Sequence, residues 1–208
     1  MKTFELKGTA RVAGGKRAAK ILRATGAIPC NLYGVEKDAD GKAVATSFSV
    51  TFEAVRKLIY TPEVYVVELN INGVEKKAVL KDIQWHPIND SILHLDFLEV
   101  NEEKPVVVPI PVKVEGHAAG VKAGGKLFLS MKKVKVKGIY TDIPERIVVN
   151  VDDIAIGHAI KVGDLKFDKF ELANAKDLVI TGVRATRAAA AAAAETEEGE
   201  EGEAPAAE

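Results

Sequence analysis

The sequence predicts a mainly β protein with a minor helical component, organised as two domains and a tail. Three observations carry that reading. The stretch "VYVVELNINGVEKKAVLKDI" (64–83) sets two β-rich runs around Asn72-Gly73, the residue pair that a type I′ hairpin turn favours. Residues 106–184 are a series of short runs, "VVVPIPVKV", "KLFLSMKKVKVKG", "RIVVNV" and "DLVITGV", separated by Gly, Pro, Asn and Asp, as expected of a second β domain. The chain then ends in alanines 188–194 and "ETEEGEEGEAPAAE", a composition that cannot build a core and is expected to be disordered beyond a frayed helical turn.

Along the first domain, residues 3–12 read as a strand, with Phe4 and Leu6 alternating against Glu5 and Lys7. Gly14-Gly15 breaks it. From Lys16 to Thr25 the period becomes helical, and Gly26 stands where a C-terminal cap belongs. "IPCNLYG" (28–34) returns to strand, "DADGK" (38–42) is a turn, and "SFSV" (47–50) is another strand. "TFEAVRKLI" (51–59) places Phe52, Val55, Leu58 and Ile59 on one helical face. After the hairpin, "SILHLDFLEV" (91–100) is the closing strand. The expected organisation is therefore a first domain over 1–100, a β domain over 101–185 entered through "NEEKP", and a tail over 186–208.

Composition narrows the function classes. With 208 residues and 47% hydrophobic content the chain can bury two ordinary cores. The lone Cys30 has no internal disulfide partner and the N-terminal residues form no apolar signal segment, so a cytoplasmic location is expected. The longest apolar run, "VVVPIPV", is far short of the ~20 residues of a membrane span. The net charge of −1 hides a marked asymmetry. Residues 1–34 hold seven Lys and Arg against Glu5 alone, whereas residues 188–208 hold seven Glu and no base. A neutral body with one basic segment implies a localised contact with a polyanion.

That basic segment is helical. At about 100° per residue, Lys16, Lys20 and Arg23 fall within one arc with Arg17 at its margin, and Ala18, Ile21, Leu22 and Thr25 occupy the opposite, dry side. A merely solvated helix usually alternates its bases with acids. Here no Asp or Glu occurs between Gly8 and Tyr33, so the face is left uncompensated, as phosphate contact requires, and Arg11 extends the patch. Phosphate contacts position but do not discriminate. Tyr33, beside Gly34, is a candidate for contact with a ribose or base; an ordinary half-buried strand tyrosine would look the same. On the strand "HLDF", His94 and Asp96 share one face, with Leu93, Leu95 and Phe97 on the core side. An aspartate near a polyanion suits the recognition of base N–H groups or a 2′-hydroxyl, though a surface His-Asp pair has the same spacing.

Other chemistries are weaker. "GVKAGGKL" (120–127) matches the first part of a phosphate-cradling loop, but Leu127 replaces the hydroxyl that would hold Mg²⁺ and a strand follows where a helix is needed. His86, His94 and Asp96 are the one trio that could serve a metal-dependent hydrolase. His117 and His158 are isolated, and Cys30 reads as a small buried hydrophobe. The expectation is a protein that is not an enzyme and uses no cofactor, metal or small-molecule substrate.

The spacing Arg11-x4-Lys16-x3-Lys20-x2-Arg23, followed by Ile28-Pro29-x3-Tyr33-Gly34, His86-Pro87 and His94-x-Asp96-Phe97, resembles the bacterial large-subunit ribosomal protein family that is number twenty-five in its series. Its longer form is also called general stress protein CTC. The resemblance spans residues 1 to about 185. It implies an N-terminal β-barrel with short helices, a second β domain and a ribosome-associated life. It also implies binding to 5S ribosomal RNA through Arg11, Lys16, Lys20, Arg23, Tyr33, His94 and Asp96, with neighbouring ribosomal proteins as further partners. The family often shows G-K-G-A-S-R-R-L-R where this chain has Gly15-Lys16-Arg17-Ala18-Ala19-Lys20-Ile21-Leu22-Arg23. Contacts from the Ala19 and Ile21 positions therefore do not carry over, and Arg17 is a base added by this sequence. Trp85, where a basic residue can occur, is left outside the site.

Overall fold

A computed structural model describes residues 1–12, 14–34, 44–102, 104–167 and 169–186. The expected turn at 38–42 and the alanine-rich acidic tail lie outside the described residues. The chain divides into two compact units. The first comprises Met1–Pro111, Lys135–Glu145 and a short segment ending at Glu171; the second comprises Val112–Val134, Arg146–Phe167 and the chain from Leu172.

The first unit is built on a closed six-stranded barrel in the order β1-β3-β2-β6-β5-β4. Its strands are β1 (Lys2–Ala10), β2 (Ala27–Tyr33), β3 (Thr46–Thr51), β4 (Tyr65–Ile71), β5 (Val74–Trp85) and β6 (Ile92–Glu99). Helix α1 (Lys16–Ala24) joins β1 to β2, and α2 (Phe52–Ile59) joins β3 to β4. Two pairings are parallel, β1 with β4 and β2 with β6. The first of these closes the barrel, so no edge is left to be covered. The β4–β5 hairpin turns at Asn72 (φ 51°) and Gly73 (φ 92°), the two left-handed positions that a type I′ turn demands.

Alternation along each strand sends one set of side chains inward. Leu6, Ile28, Cys30, Leu32, Phe48, Val50, Val67, Leu69, Leu95 and Phe97 meet in one cluster, sealed by Val55 and Leu58 of α2. Phe48 and Phe97 pack with ring centroids 5.7 Å apart and planes tilted by 43°, and both are fully buried. Two departures from the expected pattern occur here. Phe52, placed on the apolar face of α2, remains 38% exposed, because the helix buries only its Val55–Leu58 side. Leu93 is only partly buried, while Ile92 takes the core position; a register irregularity at Gln84/Trp85 shifts the start of β6 by one residue.

The second stretch of chain is also β. A four-stranded sheet in the order β10-β7-β9-β12 contains β7 (Val106–Glu115), β9 (Lys133–Gly138), β10 (Ile147–Asn150) and β12 (Glu171–Leu172). A three-stranded sheet, β11-β13-β8, contains β8 (Lys126–Leu129), β11 (Ala159–Lys161) and β13 (Val179–Arg184). One helical turn, α3 (Ala119–Lys122), precedes β8, and a 3₁₀ turn covers Val162–Asp164. The run "KLFLSMKKVKVKG" is thus two strands of different sheets, broken at 130–132. A small core of Ala118, Val151, Ile154 and Val183 lies within the second unit.

Two outcomes follow from the barrel core. Replacing Phe48 by Ala leaves a cavity against Phe97 and should lower unfolding free energy by about 3–5 kcal/mol, seen as an earlier denaturant midpoint in the emission of Trp85, a barrel residue. The Cys30 thiol, pushed up to about 12 by burial and by Asp96 despite the opposing Arg11 charge, stays protonated in the fold. It should therefore resist alkylation at pH 8 until the barrel unfolds. Because the unfolded thiol ionises near its ordinary value, this group's contribution is complete below about pH 8.5 and falls as the pH rises toward 12.

Candidate nucleic-acid interface

Helix α1 is short, starts at Gly15 without a side-chain cap, and has no acid in its first turn. None of its residues is buried. The dry face expected from Ala18, Ile21, Leu22 and Thr25 does not form: Ile21 is 59% exposed and only Ala19 and Leu22 are partly covered. The helix is covered only at Ala19 and Leu22 and is tied down at Arg23, so no face of it encloses the four expected positions. The helix ends as expected, with Thr25 as cap and Gly26 at φ 78°, whose N–H donates to the carbonyl of Arg23.

The basic side chains divide into two kinds. Arg23 donates its Nε–H to the carbonyl of Leu93 at 3.0 Å, fastening the end of α1 to the start of β6. Arg11 donates its Nε–H to the carbonyl of Phe48 at 3.2 Å and its backbone N–H to Ser47, fastening the end of β1 to β3. Each guanidinium keeps its other N–H groups beyond these anchors. Lys16, Arg17 and Lys20 are exposed, and among the described residues no acid pairs with them. The helix therefore presents uncompensated cations.

Beside the end of α1 lies a polar row on the outer wall of the barrel. Asp96 of β6 is in register with Asn31 of β2 on one side and with Asp82 of β5 on the other. Asn31 continues to Ser47 of β3, whose hydroxyl donates to the Asn31 carboxamide oxygen at 3.1 Å. His94 is opposite Gln84, and its Nδ1 lies 2.9 Å from Oδ1 of Asp96. The two groups are close, yet Nδ1 is buried without a hydrogen-bond partner. Tyr33, two residues beyond Asn31, has its phenol pushed up by burial first and then by Asp96 and Asp82, so the hydroxyl stays a donor. Gly34 follows with φ 142°, and a Cβ there would meet the backbone oxygen of Glu99 at 3.0 Å, which explains why glycine succeeds the tyrosine.

The fold thus gathers Tyr33, His94 and Asp96 on the adjacent parallel strands β2 and β6, with Arg23 tied to the residue before His94. Lys16, Arg17 and Lys20 share the helix that Arg23 anchors, and Arg11 sits just past the end of β1, against β3. Asn31, Ser47 and Asp82 belong to the same row through cross-strand register alone. Their signal was present only as polar residues alternating with buried ones, as in Cys30-Asn31-Leu32. The hydrolase trio finds no support. His86 uses Nδ1 to accept the amides of Ile88 and Asn89, away from the His94–Asp96 contact, and no metal-binding cluster of His, Cys, Asp and Glu exists among the described residues.

Comparison with known proteins is consistent along the chain. The sequence profile of the ribosomal L25p family matches residues 6–97, and that of the C-terminal domain of ribosomal protein TL5 matches residues 105–187. The large ribosomal subunit protein bL25 of Phocaeicola vulgatus is 53% identical over 186 residues, 89% of this chain and 94% of that protein. The bL25 proteins of Parabacteroides distasonis and Porphyromonas gingivalis are 52% and 50% identical, again over 89% of this chain and 95% and 94% of theirs. These relatives are ribosomal proteins rather than enzymes. A closed barrel carrying an exposed basic helix, joined to a second β unit that matches its own profile, accompanies this similarity, and the chain belongs to the ribosomal L25p family of large-subunit proteins.

Proposed function

We propose that this protein binds 5S ribosomal RNA as a structural constituent of the large ribosomal subunit, in the cytoplasm. The observation that carries the reading is the set of uncompensated cations on α1 fixed by Arg23 beside the polar row of β2 and β6. A folded RNA offers two surfaces to such an arrangement. Its sugar-phosphate backbone takes Lys16, Arg17, Lys20, Arg11 and Arg23, and its shallow minor groove exposes base edges and 2′-hydroxyls. Tyr33 supplies a neutral donor, Asp96 an acceptor set, and His94 a ring held against that carboxylate. In this reading the domain over 1–100 is the RNA-binding one, and the domain over 101–185 faces neighbouring components of the subunit.

Binding of the full chain to a 5S RNA fragment across a salt series tests this directly. Lys20→Ala should weaken binding and reduce the slope of log K against log salt by about 0.7–0.9, the share of one phosphate contact. Unchanged affinity and slope in both Lys20→Ala and Arg23→Ala would overturn the assignment. Asp96→Ala should instead cost about 1–3 kcal/mol with the slope unaltered. An Asp96 variant that binds as tightly as the parent would remove the polar row from the interface.

A further inference from the structure

An open cavity of about 430 Å³ lies where α1, α2 and the 86–91 turn converge, lined by Arg23, Phe52, Tyr60, Asn89, Asp90 and Ile92 among others. We propose that it receives one unpaired nucleobase of the RNA that α1 contacts, an inference that rests on the RNA-binding reading above. The volume falls within the ~300–1,000 Å³ of small-molecule sites. Two aromatic rings, Phe52 and Tyr60, stand in its lining. Phe52 is 38% exposed and Tyr60 is 58% exposed, although α2 already seals the barrel through Val55 and Leu58. Tyr60 is held by Trp85, ring centroids 6.1 Å apart in an edge-to-face arrangement, so its orientation is set before any ligand arrives.

The rim has the polar groups that a base edge needs. Arg23 is fixed by the Leu93 carbonyl, and the side chains of Asn89 and Asp90 make no hydrogen bond among the described residues. The turn that presents them is preformed. His86 donates its N–H to Ser91 and accepts the Asp90 amide on its carbonyl, its Nδ1 accepts two more amides, and Asp90 is held at φ 49°. An apolar protein side chain would leave Arg23 and Asp90 unanswered, whereas a base edge carries both acceptors and donors. Arg23 belongs to both features. It stands in the last turn of the helix that carries Lys16 and Lys20 and it borders the cavity, so backbone contact and base capture meet at one residue.

Trp85 is the only tryptophan in the chain and packs against Tyr60, so in the folded protein its emission reports on the surroundings of that ring. Titrating the full chain with a 5S RNA fragment should quench or shift that emission. Tyr60→Ala should weaken binding about tenfold, the effect of losing one stacked base, while thermal melting and salt slope stay unchanged; Tyr60→Phe should bind like the parent. Parental affinity in both Tyr60→Ala and Phe52→Ala, with Trp85 emission unmoved by bound RNA, would overturn the proposal and leave RNA binding itself intact. Loss of ribosome co-sedimentation by Tyr60→Ala, with naked-RNA binding intact, would overturn it in favour of a protein occupant. No binding of RNA by the parent chain would remove both readings.

Discussion

Strand β6 lies between β2 and β5, and its alternation decides what the barrel shows to the outside. Leu95 and Phe97 are inward and fully buried, which forces His94 and Asp96 outward. Parallel pairing with β2 then sets Asn31 beside Asp96 and carries Tyr33 to the same wall. Antiparallel pairing with β5 adds Asp82 and Gln84. A slip of one residue in either ladder would turn this whole row into the core. The Phe48–Phe97 contact and the apolar layer around it therefore hold the polar row in place as firmly as they hold the barrel shut.

Helix α1 adds charge to that wall without adding to the core. None of its residues is fully buried, and the Arg23 side chain fastens its last turn to the Leu93 carbonyl. Such a helix is weakly supported in isolation, since nine residues are marginal in water and its first turn lacks a stabilising acid. Those same omissions leave its cations uncompensated. Binding a polyanion would neutralise the face and reinforce the helix together.

The local features were legible from sequence because their chemistry is local. Asn72-Gly73 specified its turn, Gly26 its helix end, and the His94–Asp96 alternation its outward face. The other features needed tertiary information. Nothing in the spacing of Ile21 says that the folded helix leaves it exposed. Asn31, Ser47 and Asp82 join Asp96 only through cross-strand register, and Phe52 and Tyr60 form a cavity only once α2 meets the 86–91 turn. Arg11 and Arg23 read as plain cations, whereas each also ties two elements together through a carbonyl.

An α1 that lies along an RNA backbone beside the row of Tyr33, His94 and Asp96 would shield the sugars it covers from solvent. Hydroxyl-radical footprinting of 5S ribosomal RNA with the full chain measures this most directly, because cleavage reports the solvent exposure of each sugar. The expected result is a protected stretch on facing strands of a helix, lost when Lys16 and Lys20 are both replaced by Glu in a chain that keeps its barrel. A cleavage pattern unaltered by the parent protein, or a footprint that survives that charge reversal, would contradict it.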